Sequence, residues 1–549
     1  MSCTAANDYW FPIPRGRAIS DLGSEESFRT ALKWLRDCNT EHKCHNEASA
    51  LPIRVVDVNS DPPRIYVTHG EPGTYLCLSH CWGKTVFPTL LTTNLDHWQT
   101  DLPIDTLSLT FKQAVETCRR LGYRYIWIDS LCIIQDSAED WNSESGKMAA
   151  IYGGASLTIA ATSASNGQEG LWVSITTNRS TVALDVTGPD GRMTKIYVRS
   201  EDYTHHQAIR NMYQAEPLTA RAWVVQESFL SPRILHFSRC ELSWTCDVSY
   251  RCECSPGRVI VKDGAGSSFA RTYYRNIFLP SEYDATSSLF MWTEIVKVYS
   301  LRLLTIEKDV LPALSGIAQA MQKKTGDRYV AGLWASTLPL ALLWSPANYN
   351  PKSWQVWIPR NRGPARRTST YCAPTWSWAS LYLHSDYKGK WIALESVFHD
   401  TAYIVNIDCE LDGTNPTGRI KAASLTIRNL ITKVYLTDFH FDYASKYNLC
   451  KVGYGKCDID HVHTIDCVYW DVAGLAVLDT AHPGIRSTGI SQFWSLLVCR
   501  KHPPHPYVFM DYTGISFSTD ERSFIETCVI SYHLLLEQKA DHNLSLIHI

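Results

Sequence analysis

Tyr75-Leu-Cys-Leu-Ser79, Tyr125-Ile-Trp-Ile-Asp129 and Ser156-Leu-Thr-Ile-Ala160 are short apolar runs of strand length, and what separates them decides the fold. Between the first and second lies a stripe at helical spacing, Phe111, Ala114, Val115, Cys118 and Leu121, closed by Gly122. Thr110 offers its cap, and Gln113 three residues on completes a capping box. Between the second and third runs another helix is expected, roughly Ala138 to Tyr152, ended by Gly153-Gly154. Strand, helix, strand, helix, strand with short connections predicts right-handed parallel crossovers, hence an α/β domain on a parallel sheet. Ligands in such sheets bind beyond the carboxyl ends of the strands. Those ends carry Ser79-His80-Cys81-Trp82-Gly83 and Asp129-Ser130-Leu131-Cys132, so Ser79, Trp82, Gly83, Asp129 and Ser130 are the candidate pocket lining.

Outward from this block the pattern changes. Leu218 to Cys246 combines a helical stretch carrying Arg221, Trp223, Gln226 and Glu227 with a strand-like Arg233 to Phe237, and is expected to pack on the sheet. Helical periodicity dominates from Phe269 to Trp344, including Val310 to Met321, and the remainder alternates apolar and polar residues as β-structure does. Upstream, Ser27 to Leu35 is amphipathic. The expected divisions are residues 1–50 as an N-terminal segment, 51–240 as the α/β domain, 241–350 as a mainly helical region and 351–549 as a β-rich region. A chain of 549 residues is too long for one ordinary core.

Composition narrows the function classes. Apolar residues at 45% supply ample core, which excludes general disorder. The balance of 52 Lys+Arg against 55 Asp+Glu lacks the basic excess of a phosphate-backbone binder, so no nucleic-acid partner is expected. The first thirty residues hold no signal-length apolar run, and the most hydrophobic stretch, Tyr329 to Trp344, is broken by Ser336, Thr337 and Pro339. Neither export nor a membrane span is expected, and the eighteen cysteines read as reduced thiols of a cytoplasmic protein.

At ~100° per residue, Trp141, Glu144, Met148, Ile151 and Tyr152 share one side of the second helix, which places a carboxylate in an apolar stripe. Glu144 there is expected to be paired with a structural cation such as Arg124 or Arg221, hydrogen-bonded, protonated, or facing a cleft; it is the candidate catalytic residue. Asp129 suits a ribose hydroxyl or a cationic partner, and equally a cap on the turn that follows. His80 cannot easily serve the adjacent Cys81, whereas a His80 to Cys132 pairing is geometrically allowed. Cys38, His42, Cys44 and His45 are the first place a metal could sit, but they show no second matched pair nearby, so the satisfied loop is favoured and no metal ligand is assigned. The groups Cys240, Cys246, Cys252, Cys254 and Cys457, His461, His463, Cys467 match no paired zinc spacing either. Trp376-Ser-Trp378 reads as an aromatic wedge between domains, and neither a Walker-type phosphate loop nor a Rossmann glycine fingerprint is present.

The successive words Tyr75-Leu-Cys-Leu-Ser-His-Cys-Trp-Gly83, Tyr125-Ile-Trp-Ile-Asp-Ser-Leu-Cys-Ile-Ile-Gln-Asp136 and Asp140-Trp-Asn-Ser-Glu144 resemble the fungal heterokaryon incompatibility (HET) domain. Ala155-Ser-Leu-Thr-Ile-Ala-Ala161 and Arg221-Ala-Trp-Val-Val-Gln-Glu227 continue that pattern in order, so that Trp141, Arg221, Trp223, Gln226 and Glu227 fall on motif positions. The resemblance spans roughly residues 70 to 230. It implies an effector of fungal nonself recognition, an innate-immunity-like system in which the domain triggers programmed cell death by self-association or through protein partners. It also implies a likeness to Toll/interleukin-1 receptor (TIR) domains and hence a TIR- or flavodoxin-like sheet. Some TIR domains cleave NAD with a glutamate commonly four residues after a Trp; here Glu144 follows Trp141 by three. NAD is then a substrate of the alternative, hydrolase reading, or the fold serves a specialised small-molecule enzyme; no cofactor is assigned.

Overall fold

The computed structural model describes residues 21–42, 44, 48–83, 87–172, 216–239, 241–253, 285–300, 302–338, 340–343, 368–374, 376–381 and 403–428, and short strands outside these ranges. The chain divides into two compact units, one made of residues 1–281, 312–321 and 355–357 and the other of 282–311, 322–354 and 358–549. His45, Cys240, Cys254 and the group Cys457, His461, His463 and Cys467 lie outside the described residues.

The first unit is built on a nine-stranded sheet. Its strands are β1 (Arg54–Asp57), β2 (Arg64–Val67), β3 (Tyr75–Ser79), β4 (Tyr125–Trp127), β5 (Leu157–Ala160), β6 (Arg233–Phe237), β7 (Leu242–Cys246), β8 (Ser249–Cys252) and β9 (Ile260–Val261), in the spatial order β9-β8-β7-β6-β5-β3-β4-β1-β2. The three sequence-legible strands are parallel neighbours, Leu76 registering with Leu157 on one side and Ile126 on the other. β6 extends the parallel centre beside β5, as its strand-like sequence predicts. The expectation of a parallel sheet is nevertheless too narrow, because the sheet is mixed: β1 and β2 at one side and β7, β8 and β9 at the other run antiparallel to their neighbours. The crossover argument applies only where a helix intervenes. β1–β2, β6–β7 and β7–β8 are joined by short connections, and a hairpin reverses direction.

The helices of this unit follow the apolar stripes. α1 (Glu25–Asp37) is capped by Ser24, whose hydroxyl accepts from Ser27 N at 3.2 Å, and it buries Phe28, Ala31, Trp34 and Leu35 in the same core as the sheet. α2 (Leu109–Arg120) begins earlier than the Thr110 cap allows, since Ser108 is the cap and its Oγ accepts from Phe111 N at 3.4 Å. Gln113 does not close a capping box. Its Oε1 accepts from Leu171 N and Trp172 N at 2.6 and 3.0 Å, which pins the loop after β5 to the helix. Gly122 ends the helix region at φ +81°, a left-handed conformation that suits glycine. α3 (Ala138–Gly154) runs through the two glycines, and α4 (Trp223–Leu230) precedes β6.

Chain order makes the sheet reverse between β3 and β5. β3 exits through α2 toward β4, while β5 leads on to β6 on the other side, so the adjacent strands send their connections opposite ways. That reversal is the switch point at which open α/β sheets bind ligands.

In the second unit α5 (Ala285–Ser300) carries Trp292, whose Nε1 donates to Gly332 O at 2.6 Å. Trp378 Nε1 donates to the same carbonyl at 2.8 Å, so the Trp376-Ser-Trp378 word completes the packing around Gly332 inside this unit. Gly332 sits at φ +93°, and an added Cβ would meet the Trp378 ring at 3.0 Å. Tyr403–Leu411 and Ile420–Arg428 form an antiparallel hairpin. α6 (Pro312–Thr325) contributes its residues 312–321 to the first unit.

An ion pair locks β1, the strand next to the edge of the first unit's sheet, to α3. Arg54 on β1 donates NH2 to both oxygens of Asp140, at 2.6 and 2.5 Å, and Nε to Cys132 O at 2.7 Å. Removing one member strands the other charge in a buried setting, which costs about 3–5 kcal/mol. Asp140→Ala is therefore expected to destabilise the first unit by that order and Asp140→Asn by less, as read by denaturant unfolding of the full chain.

Candidate functional site

The switch point is occupied by polar side chains, several of which bond one another. Ser79 is the last residue of β3, and its Oγ donates to Glu227 Oε2 at 2.5 Å. Glu227 stands on α4 among Val224, Val225 and Phe229, a helix apolar on nearly every side, and all four are buried. Tyr152 from α3 approaches the same carboxyl and donates its hydroxyl to Leu78 O at 3.2 Å. Arg221, just before α4, donates to His80 O. Burial pushes the Glu227 carboxyl up to about 7; the Ser79 hydroxyl and the Arg221 guanidinium oppose that rise, and the Asp129 charge adds to it. Such a group changes protonation near neutrality.

Asp129 and Trp82 form the second half of the knot. Trp82 Nε1 donates to Asp129 Oδ2 at 2.8 Å, and the other oxygen accepts from Ser130 N at 2.7 Å. Asp129 is the first residue of the helical turn Asp129–Cys132, whose cap position is Ile128 with no side-chain bond, so Asp129 is not the cap the local pattern allows; it holds a tryptophan and its neighbour's amide. His80 Nδ1 lies 3.7 Å from Asp129 Oδ1, a distance short enough for an ion pair. Burial, however, lowers the His80 imidazole to about 4, with Arg221 acting in the same direction and Asp129 against it, so the ring is neutral at physiological pH and the contact is dipolar. The ring packs edge-on against Phe111 at 4.9 Å, and its Nε2 is buried with no hydrogen-bond partner. The His80 to Cys132 pairing is not made: the Cys132 thiol accepts from Ile128 N at 3.5 Å, and burial pushes that thiol up to about 12, against its use as a nucleophile.

Gly83 closes the segment at φ +69°, where an added Cβ would come within 2.4 Å of Asn166 Cβ. Ser130 is fully buried with no hydrogen-bond partner for its Oγ. Of the candidate lining residues, Ser79 joins Glu227 while Trp82 and Ser130 join Asp129.

Glu144 faces inward, 1% exposed, as its place in the apolar stripe requires. Its partner is neither Arg124, which pairs with Asp57 at 2.8 Å, nor Arg221; it is Lys147, one turn along the same helix, at 2.9 Å from Oε1. Oε2 is buried without a partner. Trp141 meets Trp223 edge-on at 6.4 Å, which joins α3 to α4. Gln226 serves α6, since its Oε1 accepts from Gly316 N at 2.6 Å and a Cβ on Gly316 would strike Ala149, Gln226 and Leu230.

Sequence reasoning took Glu227 only as a motif position, yet it is the carboxyl most altered by its surroundings here. The signal was available: an acid in Trp-Val-Val-Gln-Glu-Ser-Phe-Leu has Trp223, Val224 and Leu230 one turn away along its own side of the helix.

Residues 75–227 match the family model Heterokaryon incompatibility protein (HET), so the chain carries a HET domain over that span. The match runs from the first residue of β3 to Glu227. No curated protein and no solved structure matches the chain.

Glu227 and His80 give opposite pH signatures. Glu227 titrates near 4.5 when unfolded and about 7 when folded, so the stability it contributes is complete below about pH 4.5 and is lost as pH rises through 7. His80 falls from 6.5 to about 4, so its contribution is present above 6.5 and lost as pH falls through 4. Glu227→Gln removes only the first effect. Relative to wild type it is expected to gain stability between pH 5 and 8, by on the order of 3 kcal/mol, in denaturant unfolding followed across that range. A constant difference across the range would show that Glu227 ionises normally.

Proposed function

We propose that this chain is an effector of fungal nonself recognition whose HET domain triggers cell death by self-association or by binding a protein partner in the cytoplasm. The observation that carries this reading is the direct bond between Ser79 and Glu227, close to the two ends of the matched stretch. The family pattern is then a set of positions that close one buried knot, with Asp129 and Arg221 spent on Trp82 and on the His80 carbonyl. Polar groups consumed by one another hold a domain in a defined shape for recognition; they do not present a reactive constellation to a small molecule.

One feature favours the TIR-like hydrolase as a second reading. Glu144 keeps a buried carboxyl oxygen with no partner, and a carboxylate placed beside a ribose would stabilise the oxocarbenium-like charge that develops as nicotinamide leaves NAD.

Inducible expression of the full chain in a filamentous fungus separates the two. The effector reading expects wild type to arrest hyphal growth and Glu144→Gln to arrest it equally, with cellular NAD unchanged before death. Loss of arrest in a folded Glu144→Gln protein, together with an early fall of NAD in wild type, would replace it by the hydrolase.

A further inference from the structure

A second constellation of the first unit lies in none of the motif blocks. Cys38 ends α1 and opens the helical turn Cys38–His42, Cys44 follows two residues later, and Cys246 is the last residue of β7. The three thiol sulfurs and an imidazole nitrogen of His42 all lie within 4.8 Å of one another. Cys246 Sγ is 3.4 Å from His42 Nδ1. A tetrahedral zinc with bonds of ~2.3 Å to sulfur and ~2.0 Å to nitrogen sets its ligands about 3.5–3.8 Å apart; the Cys246 to His42 separation matches that spacing, and the others need close by no more than about 1 Å.

We propose that Cys38, His42, Cys44 and Cys246 form a structural zinc site that fastens the N-terminal helix to the sheet. The donor set is soft and matches the three-cysteine, one-histidine class, whereas calcium and magnesium take oxygen ligands. Cys38 and His42 are four residues apart and so share one side of their turn. Cys38 and Cys246 are buried, and His42 and Cys44 are partly exposed, which leaves a path for the ion to enter.

The surroundings are those of a thiolate ligand. Ser249 N–H donates to Cys246 Sγ at 3.3 Å, and the Ser249 hydroxyl stands 3.4 Å from it, at the start of β8 just after the tight turn from β7. Arg251 on β8 pairs with Asp37 and lies 3.9 Å from Glu41, so the residues flanking the turn are clamped to the same hairpin that supplies the fourth ligand. All four protein ligands are present, the closed arrangement of a structural site rather than a catalytic one. Cys246 joins Cys38, His42 and Cys44, the described members of the cluster read from sequence.

The test uses tag-free, full-length protein purified under reducing conditions without chelator. Elemental mass spectrometry is expected to find about one zinc per chain. Exchange with cobalt(II) is expected to give the visible bands of a tetrahedral site together with thiolate charge transfer. Cys246→Ser should lower the zinc content roughly tenfold or more, while Cys409→Ser, a thiol of the second unit, leaves it unchanged. Should Cys246→Ser fail to fold, His42→Cys retains four ligands and is expected to keep its zinc while strengthening the cobalt charge-transfer absorption. Wild-type protein that is folded, carries only trace zinc and shows no tetrahedral cobalt spectrum overturns the proposal. So does a disulfide joining two of the three cysteines in the purified protein.

Discussion

A carboxyl held in an apolar helix, bonded to a serine at the tip of the central strand, is the constraint on which the first unit depends. Ionised and unpartnered, Glu227 would cost several kcal/mol in that setting. Its place is tolerable only because Ser79 donates to it, Tyr152 stands against it and Arg221 lies close enough to oppose the desolvation. Each of these comes from a different element: β3, α3 and the segment before α4. Meeting the needs of one carboxyl therefore constrains how the helices sit on the sheet.

The same logic extends along the family pattern. Gln226, the neighbour of Glu227, turns to α6 and takes the Gly316 amide; Trp223 meets Trp141 on α3. Trp82 is held by Asp129, which also begins the turn after β4. These residues, read separately from sequence as pocket lining or motif, make a continuous set of contacts from the switch point to three helices. A knot of this kind is sensitive to protonation at two points, because Glu227 and His80 are displaced in opposite directions by the same burial.

What the sequence made legible follows from the range of the interactions involved. The β3, β4 and β5 strands and the intervening helices were readable because apolar periodicity and glycine stops act within a few residues. The flanking antiparallel strands were not, since Arg54–Asp57 and Ser249–Cys252 each carry a buried arginine and lack an apolar run. The Thr110 cap failed for a local reason: Ser108 offers the same hydroxyl two residues earlier, and Gln113 is drawn away by the loop at Leu171. Glu144 was correctly placed inside, yet its partner was sought at a distance when Lys147 stood one turn away. At the switch point the residue types were visible, but the bond from Ser79 to Glu227 crosses 148 positions and no spacing rule reaches that far.

The thiol cluster shows this limit most sharply and also explains it. Paired spacings betray a zinc site when a hairpin or knuckle supplies ligands two by two, because chain geometry then dictates the interval. Here Cys38, His42 and Cys44 lie together, but the remaining donor is brought in by the sheet, 204 positions from His42. Its arrival requires β7 to lie beside β6 and α1 to pack its aromatic face on the core, so the site can exist only after the fold does. The N-terminal segment, set apart from the α/β domain in the division read from sequence, shares in the domain's construction, since Phe28 and Trp34 lie in the core of the sheet and the turn that follows them meets its far hairpin.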